Sequence, residues 1–442
     1  MKFSKKLAIV AIPAAMALSA PEETKSKLLL MSQEGWEVSF DGAANAFYTF
    51  QDSGEFETPN GVGTRQGDLA IRDEGEQSSN IQVGLLPNVW GMTLKAPTTG
   101  GLDMEARLGL YTHINGGTVA GGWNNNGLIN NRETSFSVSG DFGTVLFGRT
   151  LRLYQQNAIV KDQTLFGVGT FAGDATNTTL GRIGAGYIYA NFGEQIQWTT
   201  PGFGPIGLRI SVNGPTDPDG DTTNFETPYP AFQFLMDANF SAAGVDAGIW
   251  FDGSYQYAEF NTAGAQVYQT RNGVHDSAGG GGTANTDYTQ HSDFRSAEDG
   301  VEVAGVGTGF TLASGPVSFV AAGFFTSGMG GLGLGYSDGF DAYLNPINYA
   351  GYYGQVNFDL GGGTNAGYSY GGNFRAGNTN HGAEAAAATN AVILQEHHNG
   401  MLWHNVNDHF RLIAEYGHTE VHYHQAGNQQ AETISLGAFF FW

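Results

Sequence analysis

From Leu102 onward, apolar and polar residues alternate one for one. Leu102, Met104, Ala106, Leu108 and Leu110 fall on one side of an extended chain, with Asp103, Glu105, Arg107 and Gly109 on the other, because successive strand side chains point in opposite directions. The same period returns in Ile206, Leu208, Ile210 and Val212 against Arg209 and Ser211. It returns again in Phe232, Phe234, Met236, Ala238 and Phe240 against Gln233, Asp237 and Asn239, and in Val245, Ala247, Ile249 and Phe251 against Asp246, Trp250 and Asp252. These runs approach the ~9 to 11 residues of a tilted membrane strand. Charges kept to one face of so many strands predict a wet interior and an apolar outside.

The connections alternate in length. Seven tight turns, rich in Gly, Pro and Asn/Asp, lie near Thr98 to Gly101, Gly140 to Gly143, Pro201 to Pro205, Ala242 to Gly244, Ser314 to Pro316, Gly361 to Gly363 and Val406 to His409. Between them fall eight longer stretches, near 51–79, 117–130, 150–190, 215–230, 261–298, 328–351, 377–390 and 424–430. Fifteen connections join sixteen strands. Short turns on one side, long loops on the other and an even strand count are the habit of bacterial single-chain membrane barrels. A soluble sandwich or propeller does not require that one-sided alternation. Past the N-terminus no run of 18 uninterrupted apolar residues occurs, so a membrane span here has to be a closed sheet rather than a helix. The expected fold is an all-β transmembrane antiparallel barrel of about 16 strands.

The first residues change where that barrel is placed. Lys2, Lys5 and Lys6 precede an apolar run from Leu7 to Ala17, the layout of a secretory signal peptide and too short for a spanning helix. The predicted organisation is a signal peptide over 1–20 (cleaved after Ala17 or Ala20), a short extension over 21–35 and the barrel over 36–442. Removing three signal lysines and no acid takes the formal charge from −23 to −26. Such a surface excludes a nucleic-acid partner and concentrates cations near a pore mouth. The absence of cysteine excludes disulfides, thiol catalysis and thiolate metal sites.

The last strand places Ile434, Leu436, Ala438, Phe440 and Trp442 on one face. It resembles the terminal signal of outer-membrane barrels, which implies that the insertion machinery reads Trp442. With strands, turns and terminal aromatic together, the chain resembles the general Gram-negative porin family. The local match is best at Gly140-Asp141-Phe142-Gly143-Thr144-Val145-Leu146-Phe147-Gly148-Arg149, similar to the family's run into its third loop, and a second match runs from Gly202 to Leu208. The resemblance implies an outer-membrane homotrimer in contact with lipid and lipopolysaccharide. It also implies a third long loop folded into the lumen, with Asp162 and Asp174 facing basic residues of the wall across a constriction.

Wall candidates follow from strand geometry. Arg107 points inward about six residues above its tight turn, or roughly 20 Å along a strand, which is mid-height in a ~25 Å band at ~45° tilt. Arg209 also faces inward but sits lower. Arg149 has the right height but shares parity with outward Val145 and Phe147, so only a bulge or the start of the loop turns it inward. Acids facing arginines make a transverse field that aligns dipolar solutes; arginines solvated by a wet lumen are the plainer account.

Two further groups carry metal chemistry. Asp217, Asp219 and Asp221 have calcium-loop spacing but place Pro228 where Glu is needed. They read as a solvated acidic loop, with divalent bridging to lipopolysaccharide left open. His418, His422 and His424 around Glu420 have a spacing that could hold Zn or Cu, yet they continue the face of Phe410, Leu412, Ala414 and Tyr416 and read as the polar end of an outward face. Neither a metal nor a cofactor is expected, and no hydrolase, phosphate-loop or dinucleotide motif implies an enzyme. The predicted function is passive diffusion of ions and small hydrophilic solutes. A substrate-specific channel for small organic acids or sugars, with sixteen or eighteen strands, is the alternative; a barrel serving as adhesin, enzyme or electron-conduit sleeve is a third.

Overall fold

The alternating segments all become strands. The computed structural model describes residues 27–54, 77–115, 129–171, 178–218, 225–260, 300–332, 339–340, 346–376, 392–423 and 427–442. In chain order the strands are β1 (Leu28–Gln33), β2 (Trp36–Ser53), β3 (Gln77–Gln82), β4 (Asn88–Lys95), β5 (Asp103–Thr112), β6 (Ile129–Gly140), β7 (Gly143–Leu151), β8 (Phe192–Thr199), β9 (Ile206–Asn213) and β10 (Phe225–Glu226). They continue with β11 (Ala231–Ala242), β12 (Val245–Phe260), β13 (Gly300–Ser314), β14 (Val317–Ser327), β15 (Asn348–Gly361), β16 (Thr364–Arg375), β17 (Val392–Asn407), β18 (Phe410–Tyr423) and β19 (Asn428–Phe441).

All pair antiparallel in one sheet, and β19 closes on β2 from Ala431↔Ser53 to Phe441↔Ala43. β3 and β4 share the same edge of β2 and form one stave. β10 and β11 likewise both lie on β12, and β1 sits on β2 below the end of β19. Nineteen strands therefore make sixteen staves, and all seven tight turns and eight longer connections fall where the alternation placed them. No helix among the described residues is long and apolar enough to cross a membrane.

The two faces differ as the sequence pattern requires. Outward Leu108, Ile210, Phe234, Phe251, Phe310, Leu412 and Leu436 are exposed, which in a closed barrel is exposure to lipid. Tyr48, Tyr255 and Tyr352 stand toward the long-loop ends, and Phe142, Trp198, Phe203, Phe358 and Phe410 toward the turns, as the two aromatic girdles of a spanning barrel do. Trp442 packs at tilted angles against Trp90, Phe40 and Phe440 at centroid distances of 5.0, 5.7 and 5.7 Å, and its backbone pairs with Gly42. Trp442 thus seals the seam between β19 and β2.

Two departures from simple staves matter. Within the short extension expected over 21–35, Leu28–Gln33 forms a hairpin with β2 through Glu34 and Gly35. Both turn residues have positive φ, 52° and 84°, the requirement of a two-residue hairpin turn. The second stave is interrupted between Gln82 and Asn88. There Gly84 lies so close to loop three that a Cβ would be 2.2 Å from the Gly167 carbonyl oxygen, and the Leu85 amide donates to that oxygen at 2.9 Å.

Candidate functional site: loop three and the inner wall

Between β7 and β8 the chain leaves the wall and runs around its inside. Leu153 and Tyr154 amides donate to Gln233 Oε1 on β11 (2.9 and 3.1 Å), and the Gln155 amide to Asp252 Oδ1 on β12 (3.1 Å). A short helix follows, α1 (Gln156–Lys161). On β15, Tyr353 donates its hydroxyl proton to the Ala158 carbonyl (2.8 Å), and Gln355 takes the Gln163 amide (2.9 Å) while donating to the Lys161 carbonyl (3.0 Å). Gln163 Nε2 then reaches Asn399 Oδ1 on β17 (2.9 Å), and Val168 and Gly169 amides reach Glu415 on β18 (2.7 and 3.0 Å). The turn at Gly167 meets the break between β3 and β4.

The return limb is fixed by Arg182, fully buried, whose guanidinium donates to Ser369 Oγ and to the His397 carbonyl. Asn373 on β16 accepts the Gly186 amide (2.8 Å) and donates to the Tyr187 carbonyl (3.2 Å). β16 stands half-way round the ring from β7 and β8, so residues 187–191 cross the lumen to reach Phe192. Gln233, Asp252, Tyr353, Gln355, Asn373 and Glu415 each satisfy a loop backbone group that burial would otherwise leave unpaired, while Asn399 and Ser369 hold loop side chains. The loop is therefore a fixed part of the barrel interior. Val160, Lys161 and Phe166 stay half-buried along it.

The predicted site residues are distributed unequally. Arg107 does face inward, but it is buried in an ion group of its own: Nη1 and Nη2 bind Asp41 at 3.0 and 3.1 Å, and Nε binds Glu133 at 3.1 Å. One cation between two carboxylates leaves that group net negative. Arg209 faces inward, half-buried, donating to Gln156 of α1 and standing 3.8 Å from Asp237. The inward turn that Arg149 needed does not occur. β7 keeps unbroken register with β6 and β8 through Arg149, so parity holds the side chain on the outer face, paired with Glu194 at 3.5 Å.

Asp162 is buried within the loop itself: it caps the turn by accepting from the Thr164 amide (3.0 Å), accepts from the Tyr187 hydroxyl (2.7 Å) and lies 3.9 Å from Arg182. Asp174 lies outside the described residues, as do Asp219, Asp221 and His424. The structure brings Arg209 against the loop and keeps Arg107, Arg149 and Asp162 in separate pairings.

Besides the anchor Arg182, the sequence reading missed other inward cations, among them Lys161 and Arg132. Lys161, at the end of α1, holds Nζ 5.7 Å from the Trp250 ring centroid. Burial pushes its pKa below the usual lysine range; Asp237 opposes that shift and Arg209 adds to it. Arg132 faces inward because the β5–β6 register slips between Gly109 and Leu110, and it lies over Tyr111 at 5.1 Å and Phe192 at 5.6 Å. A bulge of this kind cannot be read from parity alone. Lys161 was legible as almost the only lysine left after the N-terminus.

With barrel and inward loop established, comparison with known proteins decides the family. A model of the Gram-negative porin family matches residues 7–328. The chain belongs to the Gram-negative porin family. No curated protein matches it in sequence. Among solved structures it is similar to the outer membrane channel DcaP of Acinetobacter baumannii, with TM-score 0.63 and 12% identity over 93% of this chain and 99% of that one. It is similar to the anion-selective porin from Comamonas acidovorans (TM-score 0.57, 13% identity, 92% and 100% covered). The trimer form of the Vibrio cholerae outer membrane protein OmpT also matches (TM-score 0.50, 10% identity, 92% and 100% covered). Identities this low speak for the fold alone. Membership and fold together make this porin an outer-membrane β-barrel channel for small solutes.

Proposed function

We propose that this porin is a homotrimeric, passive diffusion channel whose filter is the lumen left open beside loop three, with Arg209 and Lys161, where the loop packs against β9–β12, as its principal charges and no catalytic step. The observation that carries this reading is the loop's anchorage: buried polar groups of β11, β12, β15, β16, β17 and β18 fix it. A filter that must hold its width against flow needs such support. Arg209, Lys161 and Asp237 converge on the half-buried side of the loop, whereas Arg107 is neutralised by Asp41 and Glu133. The trimer form of OmpT supports the assembly. The same reading keeps the signal peptide of residues 1–20.

Single-channel conductance and reversal potential in planar bilayers under a salt gradient test it. Open steps in groups of three, with the reversal potential moved toward cations by Lys161→Ala and by Arg209→Ala, are expected; absence of conductance overturns the reading. The wild type should also shift toward cations as alkaline pH discharges Lys161, because its lowered pKa brings that loss below the usual lysine range. A second reading, a channel selective for small organic acids, is favoured by one observation: Lys161 lies over the Trp250 indole and within electrostatic reach of Arg209. Saturable current block by a small dicarboxylate would select it over plain diffusion.

A further inference from the structure

The outward face of β17 and β18 changes chemistry toward its loop ends. Above the Asn407–Phe410 turn it carries Leu402, Leu412, Ala414 and Tyr416, and beyond these His418, Glu420 and His422, with Glu396 opposite. Glu420 is ten residues from Phe410, or about 33 Å along the strand. At ~45° tilt that is about 23 Å of height, the upper edge of a ~25 Å apolar band. These side chains stand at the water's edge.

Glu396 and Glu420 are direct cross-strand partners, a placement in which like charges repel. His422 lies two residues beyond Glu420 on the same face and directs Nε2 at both, 3.5 Å from Glu396 Oε2 and 3.5 Å from Glu420 Oε1. One ligand atom of each lies within 4.8 Å of the others. Neither carboxylate has a Lys or Arg partner among the described residues, and His422 Nε2, though shielded from solvent, makes no hydrogen bond. The carboxylates are nonetheless oriented, Glu396 by the Tyr370 hydroxyl and Glu420 by Asn428 Nδ2 at 2.9 Å.

A ring nitrogen aimed at two carboxylates calls for either an N–H hydrogen or a metal cation between them. Tetrahedral ligands at ~2.0 to 2.1 Å from zinc are about 3.3 Å apart, close to both 3.5 Å separations. One imidazole with two carboxylates suits a borderline divalent ion and leaves a fourth position open. We propose that Glu396, Glu420 and His422 form a divalent transition-metal site on the outer rim of the barrel, with Zn²⁺ as its probe. The neighbouring imidazoles differ in already being engaged: His418 Nδ1 with Glu432 at 2.7 Å, and His398 Nδ1 with the Tyr368 hydroxyl at 2.6 Å.

The test is calorimetric titration of ZnCl2 into chelator-stripped, full-length porin in detergent, with X-ray absorption of the loaded protein. One saturable site per chain is expected, with one nitrogen and carboxylate oxygens around the metal. Loss of even an outer-shell partner costs roughly 10- to 100-fold in metal affinity, so Glu396→Gln and His422→Ala should each weaken binding at least about tenfold. His418→Ala should leave it unchanged. No saturable uptake, or uptake retained in the Glu396→Gln/His422→Ala double variant, overturns the site and leaves His422 as an N–H donor to the two acids. Heat-shifted gel migration of each variant separates loss of the site from loss of the barrel.

Discussion

Strands β17 and β18 carry carboxylates on both faces, and the two sets live differently. Inward Glu415 is buried and accepts from the Val168 and Gly169 amides and from Asn399 Nδ2 at 2.9 Å. Outward Glu396 and Glu420 oppose each other across the same strand pair with one neutral donor apiece and a shared histidine. A carboxylate taken from water must find its partners within the protein, so the interior consumes its acids in architecture. Asp41, Glu133 and Asp162 follow Glu415 in this. At the rim, where water can fill an open lone pair, Glu396 and Glu420 keep capacity for a ligand.

The comparison is broken most forcefully at Arg107. Arg107→Ala strands Asp41 and Glu133 together without their cation, and removing one partner of a buried ion group costs about 3–5 kcal/mol. Arg209→Ala, whose partner Asp237 is half-exposed, should cost at most about 1 kcal/mol, as exposed pairs do. Guanidinium unfolding of the two variants measures the gap; equal losses would mean that the two arginines share one environment. A smaller effect is expected of Glu415→Ala, which orphans two buried loop amides at about 1–3 kcal/mol. It should appear as faster hydrogen exchange at Val168 and Gly169 and as noisier open-channel current, with Glu415→Gln restoring one acceptor and part of the protection.

What the sequence reveals follows the same division. Period-two alternation and the Gly, Pro and Asn of the turns make the sixteen staves legible, because lipid on one side and water on the other force that pattern. The inward course of loop three came from resemblance at Gly140 to Arg149. Its anchors were hidden, since Gln233, Gln355 and Asn373 look like any polar residue of a wet wall until a backbone is laid against them. The break in the second stave was hidden in one glycine, Gly84, where a side chain would meet the Gly167 carbonyl and the Phe47 ring. Arg107 was placed on the correct face, but parity carries no information about Asp41, 66 residues away in sequence.

The smallest effect sharpens the comparison most, because its sign depends on what fills the rim. In chelator-treated protein Glu420→Gln removes a like charge opposite Glu396 while its amide oxygen still accepts from Asn428. Relief of a like-charge cross-strand pair is of order 0.2–1 kcal/mol, so this variant should be slightly more stable than the parent, whereas the isosteric Glu415→Gln change on the inner face of the same strand should be less stable. Saturating Zn²⁺ should stabilise the parent by mass action and the Glu420→Gln variant much less, so the order of their unfolding midpoints should invert. An order unchanged by the metal would show that the outward acids, like the inward ones, already have the partners they need.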